Sequence, residues 1–271
     1  MKQRQPRVEE LLILSSLVMA STTTARAQTL VYGGLIVSSS IESATASEAD
    51  VADIIRRMNE RSRVQREQLH SYSAVRTYEV QTSDGQVFAE DVIRVDFRAP
   101  GSMTFDKLYE QGSWIVRHLV FDRLLQSEQE TLSGQERREA AISQENYTFV
   151  FVREANLGSN PCYVLKVQPK RPDNYLFEGE LWIDARDYGI AKMSGHPAKR
   201  LSFWIDGANF VREYQRIGGF WLPYRDESSA NFRTHGRRVL RVDHSQYIIN
   251  SVSAAAIDTQ RPTESKVAAA Y

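Results

Sequence analysis

Few residues in this chain have a type and spacing that would support catalysis. The single cysteine, Cys162, opens an apolar run, which predicts a small buried strand residue and not a nucleophile. Asp184 and Asp187 flank a short segment typical of a hairpin turn, and turn chemistry explains them better than acid–base catalysis. The sequence contains no Gly-x-Ser-x-Gly, phosphate-loop or His-Glu-x-x-His motif. We therefore expect no enzyme activity, no cofactor and no metal site.

The histidines and tryptophans do not indicate a metal site or a ligand-stacking site either. The five histidines are widely separated and lack metal-ligand spacing: His70, His118, His196, His235 and His244. Trp182, Trp204 and Trp221 fit sheet packing better than stacking on a sugar or lipid headgroup.

Composition predicts a globular, exported protein. The chain has 271 residues, 42% of them hydrophobic and 25% charged, with 34 basic and 34 acidic side chains. This balance argues against a nucleic-acid partner, which would require a basic surface. The first 27 residues combine a basic start, the apolar run 11–20 and a small-x-small site ending at Ala27, the pattern of a secretory signal cleaved after Ala27. We expect the protein to be exported.

The remaining chain divides into a flexible leader at 28–46, one domain at 47–250 and a disordered tail at 251–271. Apolar residues at helical spacing predict one amphipathic helix over about 48–69. The stretch 121–145 loses strand alternation and predicts short helices. Eleven segments predict strands joined mostly by hairpins: 72–81, 86–98, 102–109, 114–120, 147–154, 162–168, 175–184, 188–194, 202–216, 220–232 and 237–249.

Within these strands, apolar and polar side chains alternate. Ile93, Val95 and Phe97 share one face of their strand, while Arg94, Asp96 and Arg98 share the other. A sheet of about 10–11 antiparallel strands with one apolar face curls. The predicted fold class is therefore mainly β (α+β): a curved antiparallel sheet covered by the N-terminal helix and short helices.

Several local motifs resemble a known group. They are Phe177-Glu-Gly-Glu-Leu-Trp-Ile-Asp184, Asp187-Tyr-Gly-Ile-Ala-Lys192, Gly195-His-Pro197, Phe210-Val-Arg-Glu-Tyr214 and Gly218-Gly-Phe-Trp-Leu-Pro223. Together they resemble the outer membrane lipoprotein-sorting proteins, the LolA/LolB-like periplasmic domains, over roughly 48–250. The resemblance implies a half-open barrel with a helical lid and an apolar cavity that holds acyl chains.

From this resemblance and the strand pattern we expect a carrier of lipid or of acylated lipoprotein in outer-membrane lipoprotein sorting. Its partners would be that ligand and, optionally, membrane-bound donor or acceptor proteins, and the protein would be a monomer. The predicted cavity lining comprises ten apolar side chains: Tyr78, Ile93, Val95, Phe97, Phe105, Phe149, Phe151, Leu165, Phe177 and Leu181.

Two alternatives stay open at this point. The same fold can serve as an envelope sensor or protein-interaction module without transport. Alternating strands of this length also fit an outer-membrane barrel, although Arg94, Lys166 and Glu178 would interrupt its lipid-facing band.

Overall fold

The computed structural model describes residues 48–131, 141–173, 175–199, 205–233 and 236–251. The predicted signal peptide, the leader and residues 252–271 of the predicted tail lie outside this part of the chain, so these assignments stay predictions. Within the described residues, no helix is both long and apolar enough to cross a bilayer.

The structure is built on one antiparallel sheet. Its strands are β1 Ser71–Thr82, β2 Val87–Arg98, β3 Ser102–Gly112, β4 Tyr147–Leu157, β5 Asn160–Pro169, β6 Phe177–Asp184, β7 Ile190–Pro197, β8 Ile205–Ile217, β9 Phe220–Phe232 and β10 Gly236–Ile249. They are ordered β3-β2-β1-β10-β9-β8-β7-β6-β5-β4. The curved sheet is not closed, because β3 and β4 form its two edges and do not pair. The predicted half-open barrel is confirmed.

Two helical elements cover the concave face. Helix α1 spans Glu48–Gln68 and confirms the predicted N-terminal helix. After β3 comes a helical segment, which we call the 114–131 cover: α2 at Trp114–Val116, a π-helical turn at Arg117–Phe121 and α3 at Asp122–Thr131. Along the chain, the cover follows β3 and precedes β4, which are the two edge strands of the sheet.

The predicted strand at 114–120 is wrong. Its Trp, Ile and Val residues have high strand propensity, but the segment is helical. The Oγ of Ser113 caps α2 by accepting a bond from the amide of Val116. Val120, Phe121, Leu124 and Leu125 then turn to one side and are buried. Tertiary packing of this helical face overrides the strand propensity, which leaves ten strands.

The two covers produce two separate apolar cores. The first, which we call the α1 core, packs Ile54, Ile55 and Met58 against side chains of β4 to β8. The second, the cover core, packs the 114–131 cover against β1, β2, β3 and β10. On the outer face, ion pairs link strands: Lys192–Glu213 joins the neighbouring β7 and β8, and Arg153–Glu180 reaches across β5 from β4 to β6. The apolar-inside, polar-outside pattern predicted for the strands is therefore present.

Candidate binding site

The ten predicted lining residues all belong to the two cores, five to each. Phe149, Phe151, Leu165, Phe177 and Leu181 lie in or against the α1 core. Tyr78, Ile93, Val95, Phe97 and Phe105 lie in or against the cover core. The structure thus brings them together as two groups and not as one continuous lining. Their role in binding a ligand stays a prediction.

Both groups are packed against the chain's own helices. Ile93, Val95, Leu165 and Leu181 are fully buried. Phe121 of the cover lies 5.7 Å from the Tyr78 ring, centroid to centroid. In this conformation the apolar concave surface is occupied by the covers, so a ligand reaches it only if a cover moves.

Between the two cores the concave face carries charge, a feature that the sequence analysis missed. Arg76, His244, Asp226 and Arg212 lie on the adjacent strands β1, β10, β9 and β8, and we call them the charge row. The register pairs Arg76 with His244 and Arg212 with Asp226. Arg76 and Arg212 have side chains only 2% exposed.

The charge row is linked by short polar contacts. Both Arg212 Nε and Arg212 Nη2 donate to the Asp226 carboxylate, the latter at 2.9 Å. His244 Nε2 lies 2.9 Å from the second Asp226 oxygen. Arg76 Nη1 donates to Oε2 of Glu128 on α3 at 2.6 Å. Glu128 therefore ties the cover to the sheet through a buried ion pair.

Burial and neighbouring charges shift the pKa values of this group. Burial alone would raise the pKa of Asp226, but the charge of Arg212 and the bond from His244 hold it well below its usual range. Burial lowers the pKa of His244 despite its contact with Asp226. At neutral pH the row therefore contains ionised Asp226 and neutral His244.

A small cavity lies against the charge row. Its volume of about 20 Å³ corresponds to roughly one water molecule. Its walls mix polar and apolar side chains from the sheet and α3: Tyr78, Leu124, Glu128, Arg212, Asp226, Ser228, Leu240, Val242 and His244. Two buried nitrogens of this region, Arg76 Nε and His244 Nδ1, have no hydrogen-bond partner among the described residues.

An open depression of about 410 Å³ lies where β1 begins and β2 ends. Tyr72 and Phe97 stack in its wall with ring centroids 5.2 Å apart. The Tyr72 hydroxyl also accepts a bond from Arg76 Nη2 at 3.4 Å. Tyr72 therefore contacts both the depression and the charge row.

The charge row had a signal in the sequence. In β1, Arg76 falls in the same alternation phase as Ala74 and Tyr78, and in β10 His244 shares its phase with Leu240 and Val242. A charged residue in the apolar phase of a strand indicates a buried polar group, which requires a partner.

The residues weighed for catalysis have structural roles. Cys162 is buried, as predicted, and burial raises the pKa of its thiol. The Asp184 carboxylate accepts bonds from the amides of Arg186 and Asp187, as turn chemistry predicts. Asp187 accepts a bond from the Trp221 indole at 3.0 Å. Among the described ranges, no group of three or more His, Cys, Asp or Glu residues is arranged to hold a metal ion.

Comparison with known proteins finds similarity at the level of structure. No protein-family model and no curated protein matches the sequence. A DUF1329 family protein from Desulfovibrio piger is similar with a TM-score of 0.39 and 14% identity, over 76% of this chain and 95% of that one.

Two further similar structures carry the name of the group that the sequence motifs resemble. A LolA superfamily protein from Nitrosomonas europaea has a TM-score of 0.34 and 12% identity, over 78% of this chain and 96% of that one. A putative outer membrane lipoprotein-sorting protein domain from Vibrio parahaemolyticus has a TM-score of 0.36 and 9% identity, over 73% and 95%. Because all three TM-scores lie below 0.5, a function for this chain has to be argued from its own residues.

Proposed function

We propose that this protein is an exported, periplasmic binding protein without catalytic activity. Its ligand is an acyl chain of a lipid or lipoprotein, and its role is transport in outer-membrane lipoprotein sorting. The observation that supports this proposal is the 114–131 cover, which lays apolar side chains along the concave face where an acyl chain would lie.

The energies of cover and ligand are similar. The cover buries Val120, Phe121, Leu124 and Leu125. Burial of each side chain stabilises the closed form by about 1.5–3 kcal/mol, which gives roughly 6–12 kcal/mol for the cover. An acyl chain gains about 0.8 kcal/mol per buried methylene, or roughly 10 kcal/mol in total. An exchange between two partners of similar energy permits both uptake and release, as a carrier requires.

Several polar contacts hold the cover in place, among them Arg117 Nη1 with Glu110 at 2.9 Å and with Asp91 at 3.5 Å. Besides Arg76–Glu128, Gln129 Nε2 donates to the carbonyl oxygen of Met103 at 3.2 Å, and Lys107 Nζ donates to Asp122 at 2.8 Å. The Lys107–Asp122 pair is partly exposed, and exposed ion pairs contribute little. Opening of the cover would therefore break the buried Arg76–Glu128 pair and the Arg117 contacts together with the apolar packing.

Native mass spectrometry of the mature protein tests this proposal. The protein should be purified from its envelope fraction and then delipidated and incubated with a diacylated lipopeptide. We expect a bound lipid or lipopeptide at one per chain. Repeated absence of any acylated ligand before and after incubation would overturn the proposal.

The edge strands favour a second candidate, a protein-interaction module. Val150 and Val152 of β4 and Leu108 and Tyr109 of β3 are between 44% and 50% exposed. Exposed apolar side chains on an unpaired edge can dock another chain. Surface plasmon resonance with acylated and unacylated forms of one lipoprotein separates the two functions. Equal binding of both forms, lost in Val150→Lys, would favour the interaction module.

A further inference from the structure

The charge row suggests which acyl ligands the concave face accepts. We propose that Arg76, with His244 and Arg212 beside it, forms a binding position for an anionic group, a carboxylate or phosphate carried by the acyl ligand. In the closed protein the Glu128 carboxylate occupies this position. The inference rests on the proposed function and adds to it the charge class of the ligand.

Arg76 is held by its own strand. Tyr72 and Tyr78, both on β1, accept bonds from its Nη2 and Nη1 at 3.4 and 3.2 Å. Neither tyrosine belongs to the cover, so the guanidinium keeps these partners when the cover moves. A cation that is positioned before binding loses little conformational entropy when an anion arrives.

The charge balance requires an anion once the cover leaves. The closed row contains the cations Arg76 and Arg212, the anions Asp226 and Glu128, and the neutral imidazole of His244. Removing Glu128 with its helix leaves two guanidinium groups and one carboxylate. An acyl chain that replaces the cover again excludes water from Arg76, and an unpaired charge under such an apolar chain is costly. An acyl ligand with an anionic group replaces the lost carboxylate, whereas a neutral one does not.

Glu128 also leaves two nitrogens of the Arg76 guanidinium, Nε and Nη2, without a carboxylate acceptor. It contacts only Nη1 of Arg76, while Nε has no hydrogen-bond partner and Nη2 has the long bond to Tyr72. A carboxylate or phosphate that is free to orient can accept from two guanidinium nitrogens at once. The small cavity against the charge row lies beside Glu128, Arg212 and His244, where such a group would replace the Glu128 carboxylate.

Titration calorimetry with dodecanoate, dodecyl phosphate and dodecanol below their micelle concentrations tests this inference. These ligands share one acyl length and differ in charge. We expect wild-type protein to bind both anionic ligands about tenfold or more tightly than dodecanol, the range for a hydrogen bond to a charged group. Inorganic phosphate alone should bind far more weakly than dodecyl phosphate.

Variants separate a specific anion position from a general charge effect. Glu128→Gln removes the internal competitor and should raise the preference for the anionic ligands several-fold. The matched control Glu178→Gln removes a carboxylate from an outer-face pair with Lys166, 3.7 Å apart, and should change nothing. The double variant Arg76→Met/Glu128→Leu replaces the buried pair by apolar groups, which proteins tolerate, and should abolish the preference.

The outcomes distinguish this inference from the proposed function. Equal binding of dodecanol and the anionic ligands would overturn the anion position and leave acyl binding intact. Absence of binding by all three ligands would overturn both. Binding of inorganic phosphate as strong as that of dodecyl phosphate would show a site for free anions and overturn the link to an acyl ligand.

Discussion

Single residues on the concave face determine how this protein responds to pH. Burial lowers the pKa of His244, so the folded protein disfavours its protonated form. The unfolded chain binds this proton near pH 6.5. Because the unfolded state then holds more protons than the folded state, stability falls as pH falls below about 6.5.

The variant His244→Gln should flatten this part of the stability curve. Between pH 7.5 and 5.5, wild-type protein should lose about 1 kcal/mol more free energy of unfolding than the variant does. Urea unfolding at several pH values measures the difference. The control His196→Gln changes an exposed histidine and should keep the wild-type slope. An identical slope in wild type and His244→Gln would contradict the assignment.

Replacement by asparagine should affect stability differently at two buried aspartates on the concave side, Asp226 and Asp91. Asp226 is bonded to Arg212 and His244, whereas neither carboxylate oxygen of Asp91 has a hydrogen bond. Burial raises the pKa of Asp91, so its ionised form is disfavoured and reduces stability above the unfolded pKa. Lys107 and Arg117 lie 3.7 and 3.5 Å from it but do not reverse this direction.

We therefore expect Asp226→Asn to cost about 3–5 kcal/mol at pH 7, because it removes the carboxylate to which the buried Arg212 donates two bonds. Asp91→Asn should change stability by less than about 1 kcal/mol, or increase it. Chemical denaturation of both variants gives the comparison. A cost above about 3 kcal/mol for Asp91→Asn would mean that its ion pairs outweigh its desolvation.

At the scale of elements, the two covers should stabilise the sheet independently. Ile55 of α1 belongs to the α1 core, and Leu124 of α3 belongs to the cover core. The two cores are separate clusters, and distant sites without shared neighbours have additive effects. One cover is therefore able to loosen while the other keeps its contacts.

A double-mutant cycle tests this independence. Ile55→Ala and Leu124→Ala should each cost about 2–5 kcal/mol, and their combined effect should equal the sum within about 0.5 kcal/mol. Leu124→Ala with Phe121→Ala, both within the cover core, serves as a coupled control. A coupling above about 1 kcal/mol between Ile55 and Leu124 would show that the covers act as one unit.

The elements also mark where sequence reasoning succeeded and where it failed. The spacing of Ile55 and Met58 was enough to predict α1, and the alternation at Ile93 and Val95 was enough to predict β2 and its buried face. The 114–131 cover was predicted only in part: short helices from residue 121 onward, but a strand at 114–120. A π-helical turn brings Val120 and Phe121 to the same side, and a strand pattern cannot express that arrangement.

At the scale of the molecule, one curved sheet with separate covers and a charged centre follows from pairings distant in sequence. Arg76 faces His244 only because β10 returns to β1, and Asp226 meets Arg212 across the β8–β9 hairpin. Alternation assigns each strand two faces, but it does not reveal which charged residues the register brings together. The fold class was therefore predictable from the sequence, and so was the burial of Arg76 and His244, whereas the pairing of the four charge-row residues was not.

The central claim is that an acyl chain replaces a cover on the concave face. Methyl NMR of the mature protein with a nitroxide-labelled stearic acid tests it most directly. We expect paramagnetic broadening of inward methyls such as those of Ile93 and Val95, with those of the exposed residues Val150 and Ile248 unaffected. Broadening confined to Val150 and Ile248, with the inward methyls unchanged at saturation, would contradict the account.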